Sequence, residues 1–216
     1  EEIELIRTKI VEQKKAEEEL CKKVSNFHVK YRDVETLDPD QKSILRSGEL
    51  DQNSITQNLT SANKMLEEVL NRGDYNKVFD KESFEILQRT QKILVDVIGS
   101  PEKMESGESP AASQSLENAL KAKNRATRLK SLTSAATKQE AVINHLEEAI
   151  DLLAKWGTIQ QTIRMAREIE KLENKVIDSL KQAKPCPHCG KLVTPDFFDK
   201  KECPYCKKEV DWGKQK

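Results

Sequence analysis

VINHLEEAIDLLAKWGTIQQTIRMAREIEKLENKVIDSL, residues 142–180, decides the fold class. Val142, Leu146, Ala149, Leu153 and Trp156 recur at alternating steps of four and three, the spacing of one helix face and not the alternation of a strand. Beyond Gly157, the residues Ile159, Ile163, Ala166, Ile169, Leu172, Val176 and Leu180 keep to steps of three and four. Thr158-Ile159-Gln160-Gln161 has the form of a capping box, which would start a new helix. A single glycine is too short for an antiparallel turn, because helix–helix connections usually take about 2–8 residues. The stretch therefore predicts a kinked or continuous helix through Gly157.

The same spacing runs upstream. Ile3, Ile6, Ile10, Leu20, Val24, Phe27, Tyr31 and Val34 describe a seam in which polar Gln13 and Glu17 occupy two positions, a heptad pattern over about five repeats. Asp38-Pro39-Asp40-Gln41 restarts the chain: Asp38 can accept from orphan N–H groups, Pro39 suits the first helical position, and Gln41 completes a capping box. The next seam is Ile55, Leu59, Ala62, Leu66 and Val69, with Arg72-Gly73 as its expected end. Asp80 is the expected cap of a helix carrying Phe84, Leu87, Leu94 and Ile98, which stops at Gly99-Ser100-Pro101. Residues 99–115, GSPEKMESGESPAASQS, lose apolar periodicity and read as a linker, with a long Ala-rich helix expected from about 111. Pro185 ends the helical region. No alternating strand pattern precedes the tail. The expected organisation is an N-terminal helical region over 1–98, the linker over 99–115, a second helical region over 116–184 and a small module over 185–213.

Composition agrees with helices that carry narrow seams. Hydrophobic residues make up 36% of the chain and charged residues 34%, against about 45–50% and about 25% in an ordinary globular domain. An elongated helical bundle or coiled coil suits these proportions better than a thick core. Acidic and basic residues balance at 37 each, so no global charge draws the chain to nucleic acid or acidic lipid. No segment is apolar for long enough to be inserted in a membrane. The chain opens on Glu1, as an excised or processed region would. Four of the five cysteines cluster at the tail, unlike a secreted disulfide framework, which points to a reducing, cytoplasmic setting.

The tail reads CPHCGKLVTPDFFDKKECPYC, residues 186–206. Cys186 and Cys189 form one CxxC pair and Cys203 and Cys206 another; two intervening residues let both sulfurs of a pair face one metal. Gly190 follows the first pair, where a left-handed backbone is useful, and Lys207 stands at the equivalent place in the second. Structural zinc is the leading expectation, and iron held by the same four thiolates is the alternative. Haem attachment would need His where Gly190 stands, and a dithiol redox site would need only one pair beside a βαβ pattern. Four sulfurs close the coordination shell, so the metal is expected to hold the fold and do no chemistry. His188 reads as a spacer, not a ligand. Phe197, Phe198, Tyr205 and Trp212 are the expected miniature core.

CPHCG and CPYCK resemble the two knuckles of a zinc ribbon, a small β-hairpin module. The resemblance implies Cys186, Cys189, Cys203 and Cys206 as ligands. The wider layout is similar to bacterial proteins with a long helical hairpin followed by a four-cysteine ribbon, some of which bind nucleic acid or transcription factors. The fold expectation is thus mainly α, an elongated bundle or coiled coil followed by a zinc-ribbon hairpin.

Residues 119–138 hold Lys121, Arg125 and Arg128 with no acid among them, and on one helix these three would share a face. They are a candidate phosphate-contacting stripe; the plainer reading pairs them with acids of a neighbouring helix such as Glu17, Glu18 and Glu19. His28 and His145 lack the Glu three residues earlier that a di-metal bundle wants. Cys21 has no readable base beside it, and no phosphate loop, GxSxG or HExxH occurs. No catalytic constellation supports an enzyme or a small-molecule substrate. The expectation is a scaffold or protein-interaction protein with a protein partner or self-association; the alternative is a nucleic-acid-associated factor using the ribbon and the basic stripe.

Overall fold

A computed structural model of the chain describes residues 2–76, 80–100 and 105–212. Among these, five helices carry the architecture: α1 (Glu2–Lys30), α2 (Pro39–Asn76), α3 (Lys81–Ile98), α4 (Glu108–Lys121) and α5 (Arg125–Lys181). The fold is mainly α with a small β module near the carboxyl end. The chain separates into two units, Glu1–Ile159 and Gln160–Lys216, with the boundary inside α5.

In the first unit the expected seams are the core. Ile6, Ile10 and Leu20 of α1, Leu59 and Leu66 of α2, Leu87 and Leu94 of α3, and Leu146 and Leu153 of α5 belong to one buried cluster. α1 stops at Lys30, and Tyr31 and Val34 still pack against that cluster from the turn that follows. Gln41 N donates to Asp38 Oδ1 at 2.8 Å and Asp38 N donates to Gln41 Oε1 at 3.1 Å, a reciprocal capping box. Ser83 N donates to Asp80 Oδ1 at 2.9 Å, capping α3 as read from sequence. α2 does not end at Gly73; that residue is helical and buried, and the helix runs to Asn76.

The 99–115 stretch differs from its reading as a linker. Gly99–Ser100 (β1) pairs antiparallel with Glu105–Ser106 (β2), and α4 begins at Glu108. Gly107 makes this path accessible: a Cβ there would lie 2.1 Å from Gly99 N and 2.4 Å from Ile98 C. Ser109, Ala112, Ser113 and Ser115 are buried on α4, so the small polar residues that suggested a loop form a packing face. The Ala-rich helix expected from 111 is also two helices. α4 ends at Lys121, and Asn124 Oδ1 accepts from Thr127 N at 2.8 Å to start α5. α5 then continues unbroken through Gly157.

A polar layer crosses this core. Gln52 Nε2 donates to Glu17 Oε2 at 2.8 Å and to Ser109 Oγ at 2.9 Å, and Gln139 Nε2 donates to Gln52 Oε1 at 2.8 Å. Thr56 and Ser109 share a hydroxyl contact of 2.7 Å. The layer joins α1, α2, α4 and α5, and Glu17 is fully buried within it. Burial pushes the Glu17 carboxyl up to about 7 against the lowering effect of Gln52.

The second unit holds the distal part of α5 and the cysteine module. Lys184–Pro185 (β3) pairs antiparallel with Leu192–Val193 (β4), and a bridge joins Glu202 to Glu209. Each β pairing brackets one cysteine pair, and the thirteen-residue loop between the pairs holds a 3-10 turn at Pro195–Phe197.

Candidate metal centre

Two backbone loops of the same form position the cysteines. In the first, Gly190 N donates to Cys186 O at 2.8 Å and Cys186 N to Lys191 O at 2.9 Å. In the second, Lys207 N donates to Cys203 O and Cys203 N to Lys208 O, both at 2.9 Å. Each loop needs a left-handed residue after its second cysteine: Gly190 has φ 70° and Lys207 φ 59°. Lysine there carries a steric cost of about 1–2 kcal/mol that glycine avoids.

One sulfur from each cysteine lies within 4.8 Å of all the others. Zinc with Zn–S bonds of about 2.3 Å sets the edge of its tetrahedron near 3.8 Å. Cys186 and Cys206 Sγ are 3.8 Å apart, as are Cys189 and Cys203 Sγ. A disulfide would bring two sulfurs to about 2.05 Å, so the arrangement fits a shared ion and not a covalent pair. Cys186 and Cys203 are buried, Cys206 is half-buried and Cys189 is exposed. His188 lies outside the cluster; its Nε2 is 3.2 Å from Glu209 O.

The thiols influence one another. Burial opposes ionisation of Cys203, but the N–H groups of Cys206 and Tyr205 and the neighbouring thiols outweigh it, lowering Cys203 to about 6. Cys189 is pushed up to about 11: the Lys191 N–H favours its thiolate, but local desolvation of the sulfur and the three other cysteines oppose it. Four such groups crowded together ionise readily only when a cation neutralises them, which is the chemistry of a metal site. When bound, a divalent ion would clamp the two loops through four thiolates and keep no position for substrate.

The module's own core is Val193, Val210 and Trp212 with Cys186 and Cys203, flanked by Phe197 and Phe198. Trp212 stacks on Phe198 with ring centroids 5.5 Å apart and donates Nε1–H to Lys200 O at 2.9 Å. Lys184 Nζ donates to Trp212 O at 2.7 Å, tying the start of the module to its last described residue. Tyr205, expected in this core, is exposed instead, with Lys191 Nζ 5.0 Å over its ring. Val193 and Val210 carry no sequence signal, because a module this small has no helical or strand period to reveal them.

The basic stripe is not one helix face, because Lys121 ends α4 while Arg125 and Arg128 open α5. Lys121 pairs with Glu117. Arg125 donates to Arg32 O at 2.7 Å and to Asp33 Oδ1 at 2.6 Å. Arg128 is buried and donates to Glu35 O at 3.0 Å and to Val34 O. The two arginines thus hold the turn after α1: Arg125 pairs with Asp33 and not with Glu17–Glu19, and Arg128 is bonded to backbone carbonyls. Cys21 is buried, and its thiol is raised by burial and then by the charge of Glu140, the reverse of an activated nucleophile. Among the described residues, no helix is long and apolar enough to cross a membrane. The chain matches no family model, no curated protein and no solved structure.

Proposed function

We propose that this chain is a non-catalytic interaction protein whose helical region is a scaffold and whose zinc-held ribbon docks a protein partner. The convergence of four thiols on one point carries this reading, since a closed shell stabilises a fold and performs no reaction. Leu192 and Tyr205 stand exposed on the same module, an apolar and aromatic pair of the sort enriched at protein contacts.

The nucleic-acid alternative draws less support. From Lys181 onward there are nine lysines against five carboxylates, and a zinc tetrathiolate adds two negative charges, leaving about +2, a mild surplus. Nucleic-acid-binding domains are usually strongly basic. Arg125 and Arg128 are spent on the turn after α1. The test recovers partners with the full chain and with Cys203→Ser, then measures binding between purified components. A protein that binds the intact chain and loses affinity for Cys203→Ser supports the reading. Binding confined to nucleic acid, and falling steeply with salt, overturns it.

A further inference from the structure

We propose that the distal seam of α5 is the contact face of a homodimer in which two copies of this helix run antiparallel. Met165, Ile169, Leu172 and Val176 follow one another at steps of four, three and four, and all are 54–60% exposed. Leu180, 54% exposed, continues the stripe four residues on. Four large apolar side chains in heptad order on a bare helix are the d, a, d, a positions of a coiled coil that lacks its second strand. The earlier part of the same helix, through Leu153, has its seam buried.

Charge selects the occupant and its direction. With Ile169 at a and Leu172 at d, Glu168 and Lys175 take the flanking g positions and Glu173 an e position. In a parallel pair, g of one strand faces e of the other, so Glu168 would meet Glu173 of the second copy, twice by symmetry. In an antiparallel pair, g faces g. Setting Ile169 across from Leu172 of the second copy then places Glu168 against Lys175 of that copy, again twice. The stripe is therefore self-complementary in one orientation and self-repelling in the other. Neither Glu168 nor Lys175 has an ion-pair partner among the described residues.

The inference rests on reading the chain as an interaction protein, and its test separates the two. The full chain is examined by sedimentation equilibrium up to about 100 µM, the range of weak association. The dimer should be lost in Ile169→Glu/Leu172→Glu, with far-UV circular dichroism unchanged because both side chains are exposed. Glu168→Lys and Lys175→Glu should each weaken the dimer roughly three- to tenfold by turning two attractive pairs into like-charge pairs. The double exchange Glu168→Lys/Lys175→Glu should restore wild-type affinity. A monomeric wild type, a dimer indifferent to the Ile169/Leu172 change, or a dimer tightened by Glu168→Lys overturns the proposal, the last because it is the signature of parallel strands. None of these outcomes touches ribbon docking, which is read from the Cys203→Ser comparison.

Discussion

Replacing Glu17 by Gln should make the helical unit more stable at high pH and leave it little changed at low pH. The change keeps the side chain's shape and its bond to Gln52 while removing the ability to ionise. Glu17 is fully buried, and only one of its carboxyl oxygens has a hydrogen-bond partner. Its pKa is raised from 4.5 to about 7, so the folded chain holds a proton that the unfolded chain releases. At about 1.36 kcal/mol per unit, this rise corresponds to roughly 3 kcal/mol. That contribution is fully present below about pH 4.5, is lost as pH rises through about 7, and is absent above.

Urea unfolding followed by far-UV circular dichroism, run on both proteins from about pH 5 to about pH 9, measures the difference directly. Other carboxylates titrate in both proteins and cancel in the comparison. The variant should gain on the wild type progressively with pH, by roughly 2–3 kcal/mol at the alkaline end. A difference independent of pH, or a variant less stable than wild type above about pH 8, refutes the raised carboxyl pKa of Glu17 in this buried layer.

Four further outcomes test other parts of the fold. Cys203→Ser should abolish stoichiometric metal and collapse the Trp212 indole resonance, while helical ellipticity stays near wild type because the two hydrophobic cores share no residue. Lys207→Gly relieves a left-handed lysine and should hold zinc about fivefold more tightly against a competing chelator, the equivalent of about 1 kcal/mol. Gly107→Ala forces a methyl to within 2.1 Å of backbone and should lower helical-unit stability by about 3 kcal/mol or more in the same urea assay. Arg128→Ala removes charged bonds to two carbonyls and should cost about 2–3 kcal/mol, and Arg128→Lys should recover only part of it because an ammonium lacks the fork.

The features legible in the sequence were those whose physics is local. Capping at Asp38 and Asp80 involves residues three apart, and a metal pair involves two intervening positions, so the signal lies within one turn. Apolar seams read correctly for the same reason: a helix repeats its face every few residues whatever it packs against. Asn124 carried a local signal too, a capping side chain before Thr127, but the run of basic residues around it suggested one uninterrupted face.

What stayed illegible depends on a surface brought from elsewhere in the chain. Apolar patterning treats serine as exposed, yet Ser109 and Ser113 are buried because Gln52, Thr56 and Asn53 of α2 supply hydrogen bonds at 2.7–2.9 Å. Small side chains let α4 approach α2 closely, and their hydroxyls satisfy polar groups that leucines would have stranded. Glu17 follows the same logic: it breaks the α1 seam by chemistry while keeping the seam by position. Such a layer contributes less to stability than apolar residues in its place, and it is tolerated when its hydrogen bonds admit only one register of the helices. The distal seam of α5 is the converse case, legible as a pattern yet left uncovered by the described residues of its own chain. The proposed antiparallel pairing would give that stripe a covering surface from a second copy, and the Glu168 and Lys175 exchanges decide whether it does.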